Sequence, residues 1–337
     1  MVRVAIVGAG FMGKMHGNVY ANLPKSKVVA VVDIAPTKAE EIAKSHGARV
    51  ATRLDEVLDS VDLVDVCLPT YLHCKYTVMA AHAGKHVLCE KPITLNLKDA
   101  DSMIEAARKA GVKFMVAHCI RFWPEYAALK QIFEEKTYGR LVSIWMARVS
   151  PTPVWSWNNW ILQKNKSGGA LLDLHIHDTD FLLYLLGKPE SVFSRGTKNK
   201  NGWSHVWTVY NYRRVAAVAE GGWDLPAKFP FNMAFRAVFE GAVVEFGLVP
   251  QPTRVLLYEA DKEPVPIDVP QPKVTGVQSG GNISALGGYF NEIQYFIECI
   301  SNAEKPQIVT PQDAQMSLQI ILAEQKSAET GKVVKLV

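Results

Sequence analysis

The sequence predicts an α/β protein whose doubly wound parallel sheet is followed by an α+β domain with a mixed, mostly antiparallel sheet. Strands alternate with helices up to about residue 117, whereas later strands follow one another without helices between them. The chain has 337 residues, and single cores usually stop growing at about 250 to 300 residues. We therefore expect two domains, residues 1–120 and 121–337.

The first half shows the order of elements that βαβ units require. The predicted strands are residues 2–7, 27–33, 63–68, 86–89 and 113–117, and the predicted helices are residues 11–23, 37–46, 72–83 and 97–110. The strands are nearly continuous apolar runs, which is typical of a parallel sheet covered by helices on both faces. We expect this half to form one doubly wound domain.

The pattern of apolar and polar residues changes after Arg121, where the second half begins. An amphipathic helix ends near Gly139, and strand patterns follow with more alternation and more aromatic residues. The predicted strands are residues 141–149, 191–197, 206–212, 215–221, 233–239 and 242–246, and helices are predicted at 289–301 and 311–330. Strands in direct succession indicate an antiparallel or mixed sheet.

Charge and cysteine usage exclude several classes of protein. The net charge is +4 from 37 basic and 33 acidic residues, with no basic stripe suited to a nucleic-acid backbone. The five cysteines contain no Cys-x-x-Cys pair, which indicates thiols in a reducing compartment. No apolar run approaches the ~18 residues of a membrane helix, and no secretion signal is present at the start. We expect a cytoplasmic protein that binds neither nucleic acid nor membrane.

A glycine-rich turn follows the first predicted strand and opens the first predicted helix. Its sequence is Gly8-Ala9-Gly10-Phe11-Met12-Gly13. The first glycine permits the tight turn, the second lets a pyrophosphate approach the backbone, and the third lets helix and strand pack closely. The helix N-terminus then offers unpaired N–H groups to phosphates. The turn predicts a dinucleotide site.

An acidic residue, Asp33, ends the second predicted strand, twenty residues beyond Gly13. A carboxylate at this spacing reaches the adenosine ribose hydroxyls of a dinucleotide. It would repel a 2′-phosphate, and Ile34 offers no guanidinium to receive one. We therefore expect NAD rather than NADP, although Lys38 could approach a 2′-phosphate if Asp33 turned away.

The segment Glu90-Lys91-Pro92 follows the strand predicted at residues 86–89. It lies at the carboxyl edge of the sheet, where open α/β folds place their ligands. Lys91 is therefore a candidate site residue, with a surface lysine at a strand end as the alternative.

Residues 169–186 can be interpreted as a helix or as a strand, and the two give different chemistry. On a strand, Asp173, His175 and His177 would share one face and suggest a metal site. On a helix, Asp173 and His177 lie four residues apart on one face, with Asp180 three residues further. The apolar character continues to Leu186 before a Gly-Lys-Pro stop, so a helix is predicted and no metal is expected.

The chain resembles the glucose-fructose oxidoreductase/inositol dehydrogenase (Gfo/Idh/MocA) family. The matching segments are residues 4–10, Glu90-Lys91-Pro92, residues 173–180, Pro69-Thr70 with His73, Arg121-Phe122 with Pro124, Ser167-Gly168-Gly169 and residues 327–331. The resemblance implies an NAD(P)-binding Rossmann domain, a second domain that binds substrate and forms a homodimer or homotetramer, and an active site between them.

The resemblance also implies residue roles. Lys91 would touch both nicotinamide and substrate, and Asp173 and His177 would be catalytic. The candidate cofactor-binding residues are Gly8, Gly10, Phe11, Met12, Gly13, Asp33, Ile34, Pro69, Thr70, His73, Glu90, Lys91 and Arg121.

An alcohol oxidation needs a base that takes the hydroxyl proton as the hydride leaves. An imidazole with a pKa near ~6.5 suits this task, and His177 is the predicted base. Lys91 would stabilise the developing alkoxide. Asp173 would either orient the imidazole or accept a hydrogen bond from a neighbouring substrate hydroxyl. His175 is expected to face elsewhere and to be structural.

The predicted substrate is a sugar, an inositol or a related polyol. The segment Trp155–Trp160 could stack on a sugar ring or instead form core or subunit contacts. Trp160, Asp180 and Tyr289 are the weaker substrate candidates. The alternatives are a nucleotide-sugar 3-dehydrogenase, an NADP-linked sugar reductase, a non-catalytic NAD-binding sensor, and a metal-dependent hydrolase that uses His175 and His177.

Overall fold

The structure is a computed structural model that describes residues 1–247, 254–272 and 286–336. The chain divides into two compact units. The first contains Met1–Phe122, Trp155–Trp160 and Pro272–Gln315, and the second contains Trp123–Val154, Ile161–Gln271 and Met316–Val337. The predicted domains 1–120 and 121–337 are each one continuous segment, whereas both of these units are discontinuous.

The described residues form helices and strands along the whole chain. The α-helices are α1 (Phe11–Tyr20), α2 (Pro36–His46), α3 (His73–His82), α4 (Leu97–Ala110), α5 (Pro124–Glu135), α6 (Lys164–Ser167), α7 (Ile176–Leu186), α8 (Gly287–Ser301) and α9 (Pro311–Thr330). The strands of the first unit are β1 (Val2–Val7), β2 (Ser26–Val32), β3 (Arg49–Ala51), β4 (Leu63–Val66), β5 (His86–Glu90) and β6 (Phe114–Ala117). The strands of the second unit are β7 (Leu141–Pro151), β8 (Ser191–Asn199), β9 (Gly202–Asn211), β10 (Ala216–Leu225), β11 (Asn232–Phe239), β12 (Ala242–Gly247), β13 (Arg254–Glu259), β14 (Val265–Ile267) and β15 (Val334–Lys335).

The sheet of the first unit has the order β3-β2-β1-β4-β5-β6, and all of its pairs are parallel. This is the strand order of a doubly wound dinucleotide fold, in which the order reverses between β1 and β4. Val4, Ala5 and Ile6 of β1 are fully buried, because helices cover both faces of a parallel sheet. The prediction of a parallel sheet is confirmed.

The sheet of the second unit has the order β14-β13-β12-β11-β7-β10-β9-β8-β15. Its strands pair antiparallel except for β7 and β10, which are parallel. The prediction of a mixed, mostly antiparallel sheet is therefore confirmed. Strand β13 and the short strands β3, β14 and β15 were not predicted. In the three short strands, two or three residues are too few to show a period.

An aromatic core lies on one face of the second sheet. The ring of Tyr126 in α5 packs edge-on against Phe181 of α7 and against Phe235 and Phe246 of the sheet, with centroids 5.0 to 5.9 Å apart. Edge-to-face pairs at these distances add to the stability that burial provides. This core fixes α7, which carries His177, one of the two candidate catalytic residues of the second unit.

None of the helices in the described part of the chain combines the length and the apolar composition needed to cross a bilayer.

Candidate functional site

The glycine turn lies between β1 and α1, as predicted. Gly8 has φ +101°, and a Cβ there would lie 2.5 Å from the carbonyl oxygen of Cys67. A Cβ on Gly13 would overlap the carbonyl oxygen of Gly8. A Cβ on Gly10, by contrast, would meet nothing within 4 Å. The first and third glycines are therefore required by the protein's own packing, whereas Gly10 leaves room for a ligand.

The start of α1 fits a pyrophosphate. Gly10 is the N-cap residue and provides no side-chain hydrogen bond to the first turn. The orphan N–H groups of a helix start attract phosphate oxygens, and the open space at Gly10 lets those oxygens approach. The turn thus fits the diphosphate of a dinucleotide by its shape and by its donors.

Asp33 follows β2 and is anchored beside this turn. Its carboxylate accepts hydrogen bonds from the backbone N–H of Ala9 and from that of Ala35, each at 2.8 Å. The residue is partly exposed, and the neighbouring Ile34 side chain is largely exposed. An acceptor held next to the phosphate turn is what recognition of the ribose hydroxyls requires.

The candidates that follow β4 and β5 lie together because these strands are parallel neighbours. The imidazole of His73 spans the two connections, with Nδ1 2.8 Å from the carbonyl oxygen of Pro92 and Nε2 2.8 Å from that of Leu68. Pro69 and Thr70 lie in the first of these connections, where Thr70 is buried at the start of a short helical turn. His73 therefore ties the Pro69-Thr70 segment to the segment that follows Glu90.

Lys91 directly follows β5 and is partly exposed. Its backbone N–H donates to Oε2 of Glu90 at 3.1 Å. Glu90 is buried, and although burial raises the pKa of its carboxyl, contact with His16 lowers that pKa below its usual value. The carboxylate is therefore held ionised beside the lysine.

Two residues predicted for the cofactor or substrate site lie inside the first unit. Arg121 is buried, donates from Nη1 to the carbonyl oxygen of Ile308 at 2.7 Å, and lies 3.4 Å from Oδ2 of Asp313. Tyr289 of α8 is buried, with its ring centroid 6.3 Å from that of His16. Their contacts link α8 and the start of α9 to the rest of the unit.

The predicted helix over residues 169–186 is confirmed, but it is not a uniform α-helix. Residues Leu171–His175 form a π-helical turn, and α7 continues from Ile176. Asp173 therefore lies in the π turn and His177 in the α-helix. The expected four-residue spacing on one α-helical face does not hold, because a π turn is wider than an α turn. Both residues are more than nine-tenths buried.

His175 belongs to the interior of the second unit. Its Nε2 lies 3.0 Å from Oε2 of Glu324 and 3.1 Å from the hydroxyl of Tyr210. A Cβ on Gly221 of β10 would lie 2.6 Å from the Cβ of His175, so the glycine makes this close packing possible. The expectation that His175 is structural fits these contacts.

The carboxylates that follow His177 are also interior. Asp178 forms an ion pair with Arg148 at 2.9 Å, and burial raises the pKa of this carboxyl. Asp180 is fully buried and accepts a hydrogen bond from Ser317 Oγ at 2.8 Å. A helix that is apolar on most of its faces also buries its acidic residues. Because Asp180 is buried in this way, we do not propose it as a residue that contacts substrate.

The Trp155–Trp160 segment packs within the first unit. The Trp155 ring lies 5.1 Å from that of Phe11 in the glycine turn, and Lys38 Nζ lies 5.7 Å from the centre of the Trp157 ring. Trp155 and Trp157 are about half exposed, whereas Trp160 is partly buried. Trp155 thus flanks the glycine turn, and Trp157 flanks the start of α2.

The sequence interpretation missed a buried cluster in the first unit. His16 lies between Asp65 and Glu90, and Cys67 Sγ lies 3.4 Å from His16 Nδ1. Among the described residues, His16, Asp65 and Cys67 form one group whose potential ligand atoms lie within 4.8 Å of one another. A signal was present in the sequence, since Asp65 is a lone charge inside the apolar strand β4.

Comparisons with known proteins agree with this arrangement. Residues 2–118 match a family model described as "Oxidoreductase family, NAD-binding Rossmann fold", and residues 126–234 match the "GFO/IDH/MocA C-terminal domain". Inositol 2-dehydrogenase of Rhizobium meliloti (strain 1021) is 34% identical over 196 residues, covering 57% of this chain and 57% of that protein. The first curated relatives are matched over about half of their length.

Two further relatives match nearly the whole chain. The scyllo-inositol 2-dehydrogenase (NAD(+)) of Bacillus subtilis (strain 168) is 28% identical over 99% of this chain and 96% of that protein. A solved structure of levoglucosan dehydrogenase in complex with NADH and levoglucosan superposes with a TM-score of 0.85 at 21% identity, covering 99% of each chain. The latter likeness shows a shared fold.

Proposed function

The chain belongs to the Gfo/Idh/MocA family of oxidoreductases, and we propose that it transfers hydride between a secondary alcohol of a polyol and NAD. The polyol is a sugar, an inositol or a related compound. The proposal rests on the edge of the first sheet, where the glycine turn, Asp33 and Lys91 follow strands of one parallel sheet. Ligands of doubly wound folds bind at this edge, near the reversal of strand order.

NAD is the proposed cofactor in preference to NADP. The Asp33 carboxylate accepts the Ala9 N–H beside the pyrophosphate turn, and a fixed negative charge there disfavours a 2′-phosphate. Lys38, the one cation that the sequence offered to such a phosphate, faces the Trp157 ring. We assign the Trp155–Trp160 segment to the cofactor side, because Trp155 contacts Phe11 and Trp157 contacts Lys38.

His177 is the proposed general base. A bound NAD would supply the hydride acceptor for the alcohol carbon, and the His177 imidazole would take the hydroxyl proton. Asp173 lies one turn earlier, in the π-helical segment, and we propose that it orients the imidazole or binds a neighbouring hydroxyl. Single π turns occur frequently at functional sites, which supports this assignment.

Lys91 is proposed to act as an electrostatic catalyst. An ammonium group placed where the alkoxide develops stabilises that charge most strongly at the transition state. The preceding residue, Glu90, is buried and ionised, and its carboxylate holds the backbone N–H of Lys91.

The proposed substrate class follows from the relatives. Two of them are named for inositols and one for levoglucosan, an anhydrosugar. These compounds share adjacent secondary hydroxyls on a six-membered ring, and we propose that this chain takes a substrate of the same class.

We further propose that the protein acts in the cytoplasm as a homodimer or homotetramer. The cysteines of the described residues are free thiols, as a reducing compartment allows. Trp207 and Val209 point outward from β9 and are about half exposed, and exposed apolar residues on a sheet face favour subunit contact. Light scattering of the purified protein measures the assembly state.

The test is a panel of inositols, sugars, anhydrosugars and nucleotide sugars, each offered with NAD⁺ and with NADP⁺. Formation of the reduced cofactor is followed by absorbance. We expect turnover with a cyclic polyol and NAD⁺. A preference for nucleotide sugars or for NADP⁺ would favour the corresponding alternatives, and NADH binding without turnover of any member would contradict the proposal.

A further inference from the structure

The buried cluster around His16 joins three elements of the first unit. His16 comes from α1, Asp65 from the middle of β4 and Glu90 from the end of β5. The Nδ1 atom of His16 lies 2.8 Å from Oδ2 of Asp65, and its Nε2 atom lies 3.1 Å from Oε1 of Glu90. His16 and Asp65 are fully buried and Glu90 is nearly so.

The two contacts together favour a charged imidazole. Nδ1 lies within hydrogen-bond distance of the Asp65 carboxylate, and an unprotonated Nε2 would place its lone pair against the Glu90 carboxylate oxygen. Burial lowers the pKa of His16, but Asp65 and Cys67 together more than offset this, and the pKa lies well above its usual value. The contact with Glu90 is close without hydrogen-bond alignment, so charge attraction holds it.

Stability alone does not explain this cluster. Buried ion pairs often stabilise a fold no better than apolar residues of similar volume, because desolvation offsets the attraction. Asp65 is flanked by Val64 and Val66 in a strand that is otherwise apolar. An apolar residue at position 65 would suit the fold alone, so the charge indicates a further role.

That role is indicated by what Glu90 touches on its other side. One of its oxygens, Oε1, faces His16, while Oε2 accepts the backbone N–H of Lys91 at 3.1 Å. A carboxylate held by one imidazolium therefore fixes the first peptide group of the segment that carries the proposed catalytic lysine.

We propose that His16 is a positioning residue for the hydride transfer, because it holds the Glu90 carboxylate and thereby fixes the backbone of Lys91. The inference rests on the function proposed above. It extends that function to a fully buried side chain of α1 that contacts Asp65 of β4 and Glu90 of β5.

The test is a double-mutant cycle of His16→Asn and Glu90→Gln. Asparagine removes the positive charge and keeps a side-chain donor. We expect H16N to lower kcat about 30-fold and to change the Kd for NADH by less than about 3-fold, because it acts on Lys91 alone. In the E90Q background the same change should lower kcat by less than about 3-fold. Additive effects would overturn the proposal.

A second readout needs no turnover. Hydrogen exchange of the peptide that contains Lys91 should accelerate in H16N and should already be fast in E90Q. Unchanged exchange in H16N would overturn the proposal. If the wild type binds NADH but oxidises no polyol, the function proposed above fails, and the exchange experiment still decides whether His16 fixes Lys91.

The matched control is His46→Asn. His46 of α2 is half-buried, and its Nε2 lies close to Gly17 of α1, the helix that also carries His16. Burial lowers the pKa of His46. We expect normal kcat and normal exchange at Lys91. If H16N does not fold, Asp65→Asn keeps the imidazole in place and weakens its charge. D65N should then lower kcat in the wild-type background and not in E90Q, and an equal loss in both would overturn the proposal.

Discussion

The two units present their candidate catalytic groups in different ways. In the first unit, the glycine turn, Asp33 and Lys91 each follow a strand directly, so a short local motif fixes where each of them lies. In the second unit, His175 and His177 stand two residues apart on one helical segment, yet His175 is held in the interior by Glu324 and Tyr210. Residues that follow a strand of a parallel sheet lie at the sheet edge whatever the rest of the chain does. On a buried helix, by contrast, the surrounding packing decides which residues face the interior.

Lys91→Ala and His177→Ala test whether the catalytic groups of the two units contribute equally to kcat. We expect each change to lower kcat by about 10³-fold or more, because one removes the cation for the alkoxide and the other removes the base. The Kd for NADH should change by less than about 3-fold. Stopped-flow turnover and NADH fluorescence titration measure the two quantities.

The controls for this pair are Lys85→Ala and His82→Ala. Lys85 immediately precedes β5, at the opposite end from Lys91, and His82 ends α3 with an exposed side chain. Both variants should turn over normally. A large loss in K91A with near-normal rates in H177A would place the chemistry in the first unit alone.

Asp33→Ala tests the cofactor preference assigned to the first unit. Removal of the carboxylate should shift the ratio of kcat/KM for NAD⁺ to that for NADP⁺ by about 50-fold toward NADP⁺, because a repulsive charge near a 2′-phosphate is lost. Steady-state kinetics with both cofactors give the ratio. Asp59→Ala, an exposed acid in the same unit, is the control, and an equal shift in both variants would contradict the assignment.

The sequence was most informative where chemistry follows from short-range geometry. Apolar runs predict the buried strands of the first sheet, and glycine spacing predicts the turn at Gly8, since only glycine fits beside the Cys67 carbonyl. The helix at residues 169–186 was also predicted from its apolar length. Its π turn was not, because hydrophobic spacing does not report which carbonyl each N–H bonds to.

Long-range packing accounts for what the sequence could not provide. Asp180 shares a predicted face with His177, but its partner Ser317 lies 137 residues away. The tryptophan segment was considered for substrate stacking, but its contacts with Phe11 and Lys38 depend on where the chain returns to the first unit. His16 was missed for the same reason, since its two acids come from separate strands.

Trp155→Ala and Trp157→Ala sharpen the assignment of this returning segment. We expect each change to raise the Kd for NADH by about 5-fold and to leave the KM for polyol nearly unchanged, because aromatic contact at Phe11 and Lys38 borders the cofactor site. Trp207→Ala, an equally exposed tryptophan on β9, should change neither. A raised KM for polyol with a normal Kd for NADH would contradict this assignment and indicate that the Trp155–Trp160 segment contacts substrate.

The smallest expected effect concerns His205 in the second unit, a histidine that resembles His16 in its partners but not in its burial. Its ring nitrogens lie 3.0 Å from Glu220 and 2.8 Å from Asp224. The pKa of His205 is raised to about 9. The largest cause is the hydrogen bond with Glu220, burial opposes it, and the contact with Asp224 raises the pKa further. The unfolded chain has an ordinary histidine pKa of about 6.5.

Because the folded pKa is raised, the stability from this cluster is fully present below about pH 6.5 and is lost as pH rises through about 9. The groups are partly exposed, so solvent screening limits the contribution to below about 1 kcal/mol. Urea unfolding at pH 7 and pH 9.5 should show a larger fall in unfolding free energy for the wild type than for His205→Gln. Equal falls would mean that the two carboxylates are stabilised by solvent rather than by the imidazolium, unlike those beside His16.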